Sequence, residues 1–285
     1  MAVHELPLEQ RCLHGHFSKD LEPAVEIDPG DSVRFFTPNH AWDVARDEHF
    51  APPSPELDEG HALAGPIFVR GASAGQTLVV RIDDVVPGSW GVTFGHDAKV
   101  LWARDGEEWA DELGRRVRSA PFLGVLGMPP DEPGRHSTTP PRKSGGNIDC
   151  KELVAGAALY LPVPVDGARF SAGDGHGAQG DGEVSGTAIE CPLDRVQLTL
   201  SLSELTLRSP IARVDGAWLA FGFDEDLDLA AEQAMATMLD LIERELGVDR
   251  SYALALSSIV VDLRVTQIVN AVKGVHAVLR DDAIR

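Results

Sequence analysis

Residues 195–204 read RVQLTLSLSE, and every second place is apolar: Val196, Leu198, Leu200 and Leu202. A period of two puts one face of an extended chain into a core and the other into water, as in a strand of a sheet with one wet face. Working outward, the stretch AVEIDPGDSVRFFTP at 24–38 predicts two strands broken by a turn at Pro29-Gly30-Asp31. PIFVRGASAGQTLVVRIDDVVPG at 66–88 repeats that layout with a Gly-rich turn at 71–75, and WLAFGF at 218–223 reads as a further strand. One long helix interrupts this pattern. Over 226–246, Leu227, Ala230, Ala234, Met238, Leu239, Ile242 and Leu246 recur at three- and four-residue steps, behind Asp224, Glu225 and Asp226 and ahead of Gly247. A shorter helix is expected over 107–118, and loops over 47–60 and 128–146. The fold class that follows is β-rich α+β, with a helix-containing C-terminal segment. The length suits a single domain over 1–285, with a possible sub-boundary near 205–225.

Composition narrows the function. The formal charge of −20 disfavours binding to a phosphate backbone, which needs clustered Lys and Arg, and favours a small neutral or cationic substrate. Cys12, Cys150 and Cys191 cannot all pair, which points to a reducing, cytoplasmic setting. No run is long and apolar enough for a membrane helix, so a membrane partner is not expected.

The densest chemistry lies at 171–183, SAGDGHGAQGDGE, where three acids, a His and a Gln alternate with five glycines. Glycine permits unusual backbone angles and close approach. Side chains two apart on an extended segment share a face, so Asp174 and His176 should point together, as should Asp181 and Glu183. With His14, His16, His61 and Asp149 these residues could form an oxygen/nitrogen site for a divalent metal, zinc or a related ion. GASAG at 71–75 fits Gly-x-Ser-x-Gly around Ser73, but strands on both sides lack the strand-to-helix turn that such a nucleophile needs. Cys150 is a second candidate nucleophile, provided a base or cation activates it.

Laid out in order, the chain resembles the acetamidase/formamidase family. The resemblance rests on LHGHFS at 13–18, EIDPGDSVRF at 26–35, HALAGPIFVRGASAGQTLVVRIDDVVPGSWG at 61–91 and HSTTPPRKSGGNIDCKEL at 136–153. LYLPVPVDGARFSAGDGHGAQGDGEVSGTAIE at 159–190 and IVVDLRVTQIVNAVKG at 259–274 extend it over nearly the whole chain. It implies barrel- or sandwich-like sheets, a homodimer or higher homo-oligomer, and hydrolysis of a short primary amide to carboxylate and ammonia. Some relatives look like lactam hydrolases. Asn147 and Asp149 carry over from the Gly-Gly-Asn block, and Asp174, His176, Gln179, Asp181 and Glu183 from the Gly-rich block. His14 and His61 match further family positions. On this reading Asp149 and His176 are metal ligands, joined by Asp174, His14 and His61. Glu183 and Asp181 are the catalytic acids, and Asn147 and Gln179 hold the substrate. The chain departs from the family at Ala74 and Gln76, and TPNHAWDV at 37–44 matches only loosely, which bears on substrate preference. Two alternatives stand beside this reading: a metal-independent amide or lactam hydrolase using Cys150 or Ser73, and a non-catalytic β domain that binds a metal or small molecule.

Overall fold

The computed structural model describes residues 1–284. Its largest sheet has nine strands, in the order Val3–Leu6, Ser32–Thr37, Leu193–Ser203, Thr77–Pro87, Ala158–Pro162, Ile211–Val214, Ala217–Asp224, Lys273–Arg280 and Val261–Gln267. The alternating stretch lies inside this sheet as Leu193–Ser203, antiparallel to Ser32–Thr37 on one side and Thr77–Pro87 on the other. Val196, Leu198 and Leu200 are fully buried there, while Arg195 is exposed. Burial of this kind is worth roughly 1.5–3 kcal/mol for each large aliphatic side chain.

A seven-stranded sheet runs Pro141–Arg142, Gly145–Asn147, Phe122–Gly127, Phe170–His176, Leu63–Val69 and Leu13–His14, and Val25–Ile27 pairs with Leu63–Val69 in parallel. One apolar core joins the two sheets, with Val33, Leu78, Ile82 and Leu198 from the larger and Ile67, Leu126, Phe170 and Ala172 from the smaller. The two expected strand–turn–strand units are present, but neither is a hairpin. Val25–Ile27 and Leu63–Val69 belong to the smaller sheet, and their successors Ser32–Thr37 and Thr77–Pro87 to the larger. The turns at 28–31 and 71–75 therefore carry the chain from one layer to the other. Gly30, Gly71 and Gly75 take the positive φ that such turns require.

The helix expected over 107–118 is not formed. Trp90–Gly95, Ala98–Asp105, Glu108–Asp111 and Arg116–Arg118 instead make an antiparallel four-stranded sheet. Turn chemistry overrides the helix-like composition here. The two-residue loop Gly106-Glu107 closes a hairpin with Gly106 at φ 62°, and the buried Asp111 carboxylate accepts from the backbone N–H groups of Leu113 and Arg115. Trp109 is fully buried and anchors this sheet. The loops at 47–60 and 128–146 are largely irregular, but they contain the short strand Glu48–His49, the strand Pro141–Arg142 and the start of Gly145–Asn147.

Helix α1, Leu227–Leu246, forms where the periodicity places it. The Asp226 carboxylate accepts from the N–H groups of Asp228 and Leu229, and Gly247 ends the helix in the left-handed region at φ 65°. Its buried stripe, Ala230, Ala234, Met238 and Ile242, packs on Ala220, Val275 and Ala277 of the large sheet. Gly222 makes this close approach possible, because a Cβ there would collide with the Ala230 carbonyl. A second helix, α2 (Arg250–Val260), follows with Asp249 as its cap. No helix among the described residues is long and apolar enough to cross a membrane.

Candidate active site

The Gly-rich stretch is the strand Phe170–His176, held between Phe122–Gly127 and Leu63–Val69, and every residue of it is buried. Its glycines answer to packing. A Cβ on Gly173 would strike the Ala62 carbonyl, and one on Gly175 the Cys191 carbonyl. Asp174 and His176 do point together, with His176 Nε2 3.3 Å from Asp174 Oδ2. Gly124, on the neighbouring strand, faces the same space. A Cβ there would lie 2.7 Å from Asp149 Oδ1, 2.9 Å from His176 Cε1 and closer still to Asp174 Oδ2. The missing side chain leaves a cradle lined by two carboxylates and an imidazole.

Asp149 enters this cradle from the turn after Gly145–Asn147. Its Oδ2 accepts a 2.6 Å hydrogen bond from Asn270 Nδ2, and its backbone carbonyl accepts one of 2.9 Å from Gln179 Nε2. Its Oδ1 has no partner, nor does His176 Nδ1, 4.0 Å away. Glu183 completes a buried group with them, one ligand atom from each lying within 4.8 Å of the others. Behind them, His40, Asp174 and Glu190 form a second such group. Glu190 lies 3.5 Å from His176 Nε2 and 3.2 Å from His40 Nδ1. Asp149, Asp174 and Glu183 all have positive φ, at 52°, 62° and 44°. Strain of this kind in non-glycine residues collects at sites where geometry serves function.

The electrostatics are equally strained, with four buried carboxylates facing His176 and the half-buried His40. Burial, reinforced by the charge of Glu183, raises Asp149 well above the ordinary carboxylate range. Burial likewise lifts Glu183 to about 7. Burial alone would lower His176, but the charges of Glu190 and Asp174 outweigh it and hold the imidazole well above its usual value. Glu190 would be raised by burial, yet His176 and then His40 bring it below its usual value.

The remaining expected residues are more scattered. His61 lies at the rim, its Nδ1 bonded to Thr138 Oγ1 at 2.8 Å and its Nε2 4.0 Å from Asp174. That bond fixes the 128–146 loop beside the cradle, and backbone pairing of His136 with Phe17 anchors it further. His14 is outside both groups. Its nitrogens are bonded to the His16 carbonyl at 2.7 Å and to Ser171 Oγ at 2.8 Å, and burial lowers it to about 4. Asp181 and Glu183 do not share a face. Asp181 turns to Lys151 Nζ at 2.6 Å and Arg264 Nε at 2.9 Å, whereas Glu183 turns inward, because the glycines at 180 and 182 break the extended run. Asn147 and Gln179 both lie near Asp149, and each has a side-chain carbonyl oxygen that is buried and without a partner. Cys150 is buried beside Glu152, 3.3 Å from its carboxylate, and burial pushes its thiol far up, away from a reactive thiolate. Ser73 sits exposed in the turn between two strands. Sequence reasoning missed His40, Glu190, Asn270 and Gly124. Glu190 carried a signal, a lone acid ending the apolar stretch TAIE, since a core segment holds a carboxylate only if it is partnered.

The model of the Acetamidase/Formamidase family matches residues 3–110 and 132–210, more than half of the chain. An acetamidase of Mycolicibacterium smegmatis is 24% identical over 270 residues, covering 64% of this chain and 64% of that protein. A formamidase of Methylophilus methylotrophus is 26% identical over 242 residues, covering 61% of this chain and 60% of that one. This chain thus spans under two thirds of the length of these two relatives. The crystal structure of an acetamidase from Bacillus halodurans superposes with a TM-score of 0.87 at 28% identity, covering 97% of each chain. Sequence model, relatives and whole-chain structural likeness agree on one class of enzyme, the amidohydrolases, and the chain belongs to the acetamidase/formamidase family.

Proposed function

We propose that the protein hydrolyses a short primary amide, formamide- or acetamide-like, to a carboxylate and ammonia at the cradle over Gly124, with a divalent cation held there. The observation that carries this reading is the pair of unpartnered buried atoms, Asp149 Oδ1 and His176 Nδ1, 4.0 Å apart among three further buried carboxylates, Asp174, Glu183 and Glu190. Buried charge of one sign is tolerated only against a counter-charge. The donor set fits such an ion, and imidazole with carboxylates suits zinc foremost.

Asp149 and His176 would hold the ion. Asp174 and Glu190 engage Nε2 of His176, so Nδ1 is left facing Asp149, the outer support that orients a ligating histidine. When bound there, the ion supplies Lewis acidity, which polarises a carbonyl and makes water acidic near neutral pH. Glu183 borders the open cavity beside the cradle. From that position it takes a proton from the attacking water and returns it to the departing ammonia. The unpartnered oxygens of Asn147 and Gln179 accept the N–H groups of the substrate amide, which orients it without charge. Asp181, His14 and His61 are positioning residues in this scheme. A cytoplasmic, homo-oligomeric protein completes the proposal. Three free cysteines favour the compartment, and exposed Tyr252, Leu254, Ile259 and Leu263 around α2 favour self-association.

The test is ammonia release from formamide and acetamide by the purified protein. Turnover of at least one, unchanged by Cys150→Ser or Ser73→Ala, is expected. Silence on both substrates would contradict the short-amide reading, and loss of turnover in either variant would favour a covalent nucleophile.

A further inference from the structure

Beside the cradle lies a cavity of about 440 Å³, and Glu183 and Gln179 line it together with Trp102, Val117, Ala178, Ala188 and Ile189. Trp102 and Val117 come from the four-stranded sheet at 90–118, and Val117 lies in the 107–118 stretch expected to be helical. The other wall is the segment 178–189, held in place by hydrogen bonds. Ile189 N–H donates to the Ala178 carbonyl at 3.0 Å, and Ala188 N–H donates to Glu190 Oε1 at 2.7 Å. The polar atom of Trp102 is already engaged, since its Nε1 donates to Thr93 Oγ1 at 3.0 Å, and Thr93 in turn donates to the Ala188 carbonyl. Trp102 therefore brings its apolar ring to the wall with no donor left to satisfy. Gly91 passes so close to Ile189 that a Cβ would lie 2.6 Å from its Cγ2, which fixes that wall against the sheet.

A cavity of this size is in the range that encloses ligands of drug size, roughly 300–1,000 Å³. Arg118 and Asp181 add charge to its lining, and formamide or acetamide would leave the apolar stretch between Trp102 and Ile189 to water. We propose that, beyond the short amides above, the site accepts and prefers a primary amide with an extended apolar acyl group, an alkyl chain of hexanoyl size or an aromatic ring. Its amide would lie at Glu183 and Gln179, and its tail between Trp102 and Ile189. This inference rests on the amide-hydrolysis reading above and names the substrate class for that site.

The test is the ratio of kcat/KM along the series acetamide, butyramide and hexanamide, with benzamide as the ring probe. A tail seated on these walls raises kcat/KM about fourfold for each methylene buried, on the order of 10²-fold from acetamide to hexanamide. Val117→Asp, at a partly exposed wall position, and Ala188→Phe, which fills the cavity, should each collapse the hexanamide-to-acetamide ratio. A flat or falling series alongside measurable acetamide turnover overturns the acyl-pocket inference and leaves the amidase reading in place. If no amide is turned over, the amidase reading falls, and calorimetric binding decides the pocket. Hexanamide binding far more tightly than acetamide, with a negative heat-capacity change, supports it, and equal binding overturns it.

Discussion

Glu183→Gln is expected to lower kcat for amide hydrolysis by about 10²–10⁴-fold, the usual contribution of a positioned general base. Glutamine keeps the shape of the side chain and the same left-handed backbone, which Glu183 adopts at φ 44°. Folding should therefore persist. What is lost is the ability to accept a proton from water and return it to ammonia. Because Asp149 and His176 remain, metal content should stay near that of the parent protein. Ammonia release and elemental analysis of the same preparation check both statements. Turnover within a few-fold of the parent enzyme would remove Glu183 from proton transfer. Loss of metal together with activity would make it a ligand instead.

The second large effect is expected from Gly124→Ala. A methyl group in a strand is ordinarily harmless, and a Gly→Ala change can stabilise a chain by reducing unfolded-state entropy. Here the new Cβ would sit 2.7 Å from Asp149 Oδ1 and 2.9 Å from His176 Cε1, with Asp174 Oδ2 nearer still. None of these neighbours is the loose end of an exposed side chain, because Asp149, Asp174 and His176 are all at most 2% exposed. Overpacking of this kind costs about 1–3 kcal/mol, a fall in Tm of several degrees in a chain of this size. The effect on function is larger. Displacing reacting groups by about 1 Å costs about 10²-fold in rate. The variant should fold, bind metal weakly and lose at least that factor of activity. Thermal unfolding, metal content and ammonia release separate these effects, and a fully active variant would place the chemistry elsewhere.

Much of this arrangement is legible in the sequence because local rules and the fold agree. The alternation in RVQLTLSLSE survives as an interior strand, and the stripe from Leu227 to Leu246 as a capped helix. Asp174 and His176 share a face because a strand imposes a period of two. The same rule fails for Asp181 and Glu183 where the glycines turn the chain, and Asp181 is drawn outward to Lys151 and Arg264. At 107–118 the acidic, Leu- and Arg-bearing composition points to helix, whereas Gly106 and the Asp111 turn decide for strands. Helix α2 leaves a weak trace, since only Ala253 and Ser257 are buried on it while Leu254 and Ile259 face outward. The rear wall of the site was hidden for another reason. His40, Glu190 and Asn270 are far apart in sequence, and only the packing of the sheets brings them to His176 and Asp149. Gly124 has no side chain to read, and its role is visible only as the space that a Cβ would fill.

In the proposed reaction Asp149 and His176 would hold a divalent cation that hydrolysis requires. The most direct measurement is ammonia release by the purified protein before and after exhaustive dialysis against a chelator, followed by add-back of single divalent metals. Activity is expected to disappear on chelation and to return with one metal at about one equivalent per chain, zinc first among those tried. Full activity after chelation, with no metal detectable in the dialysed protein, would contradict it.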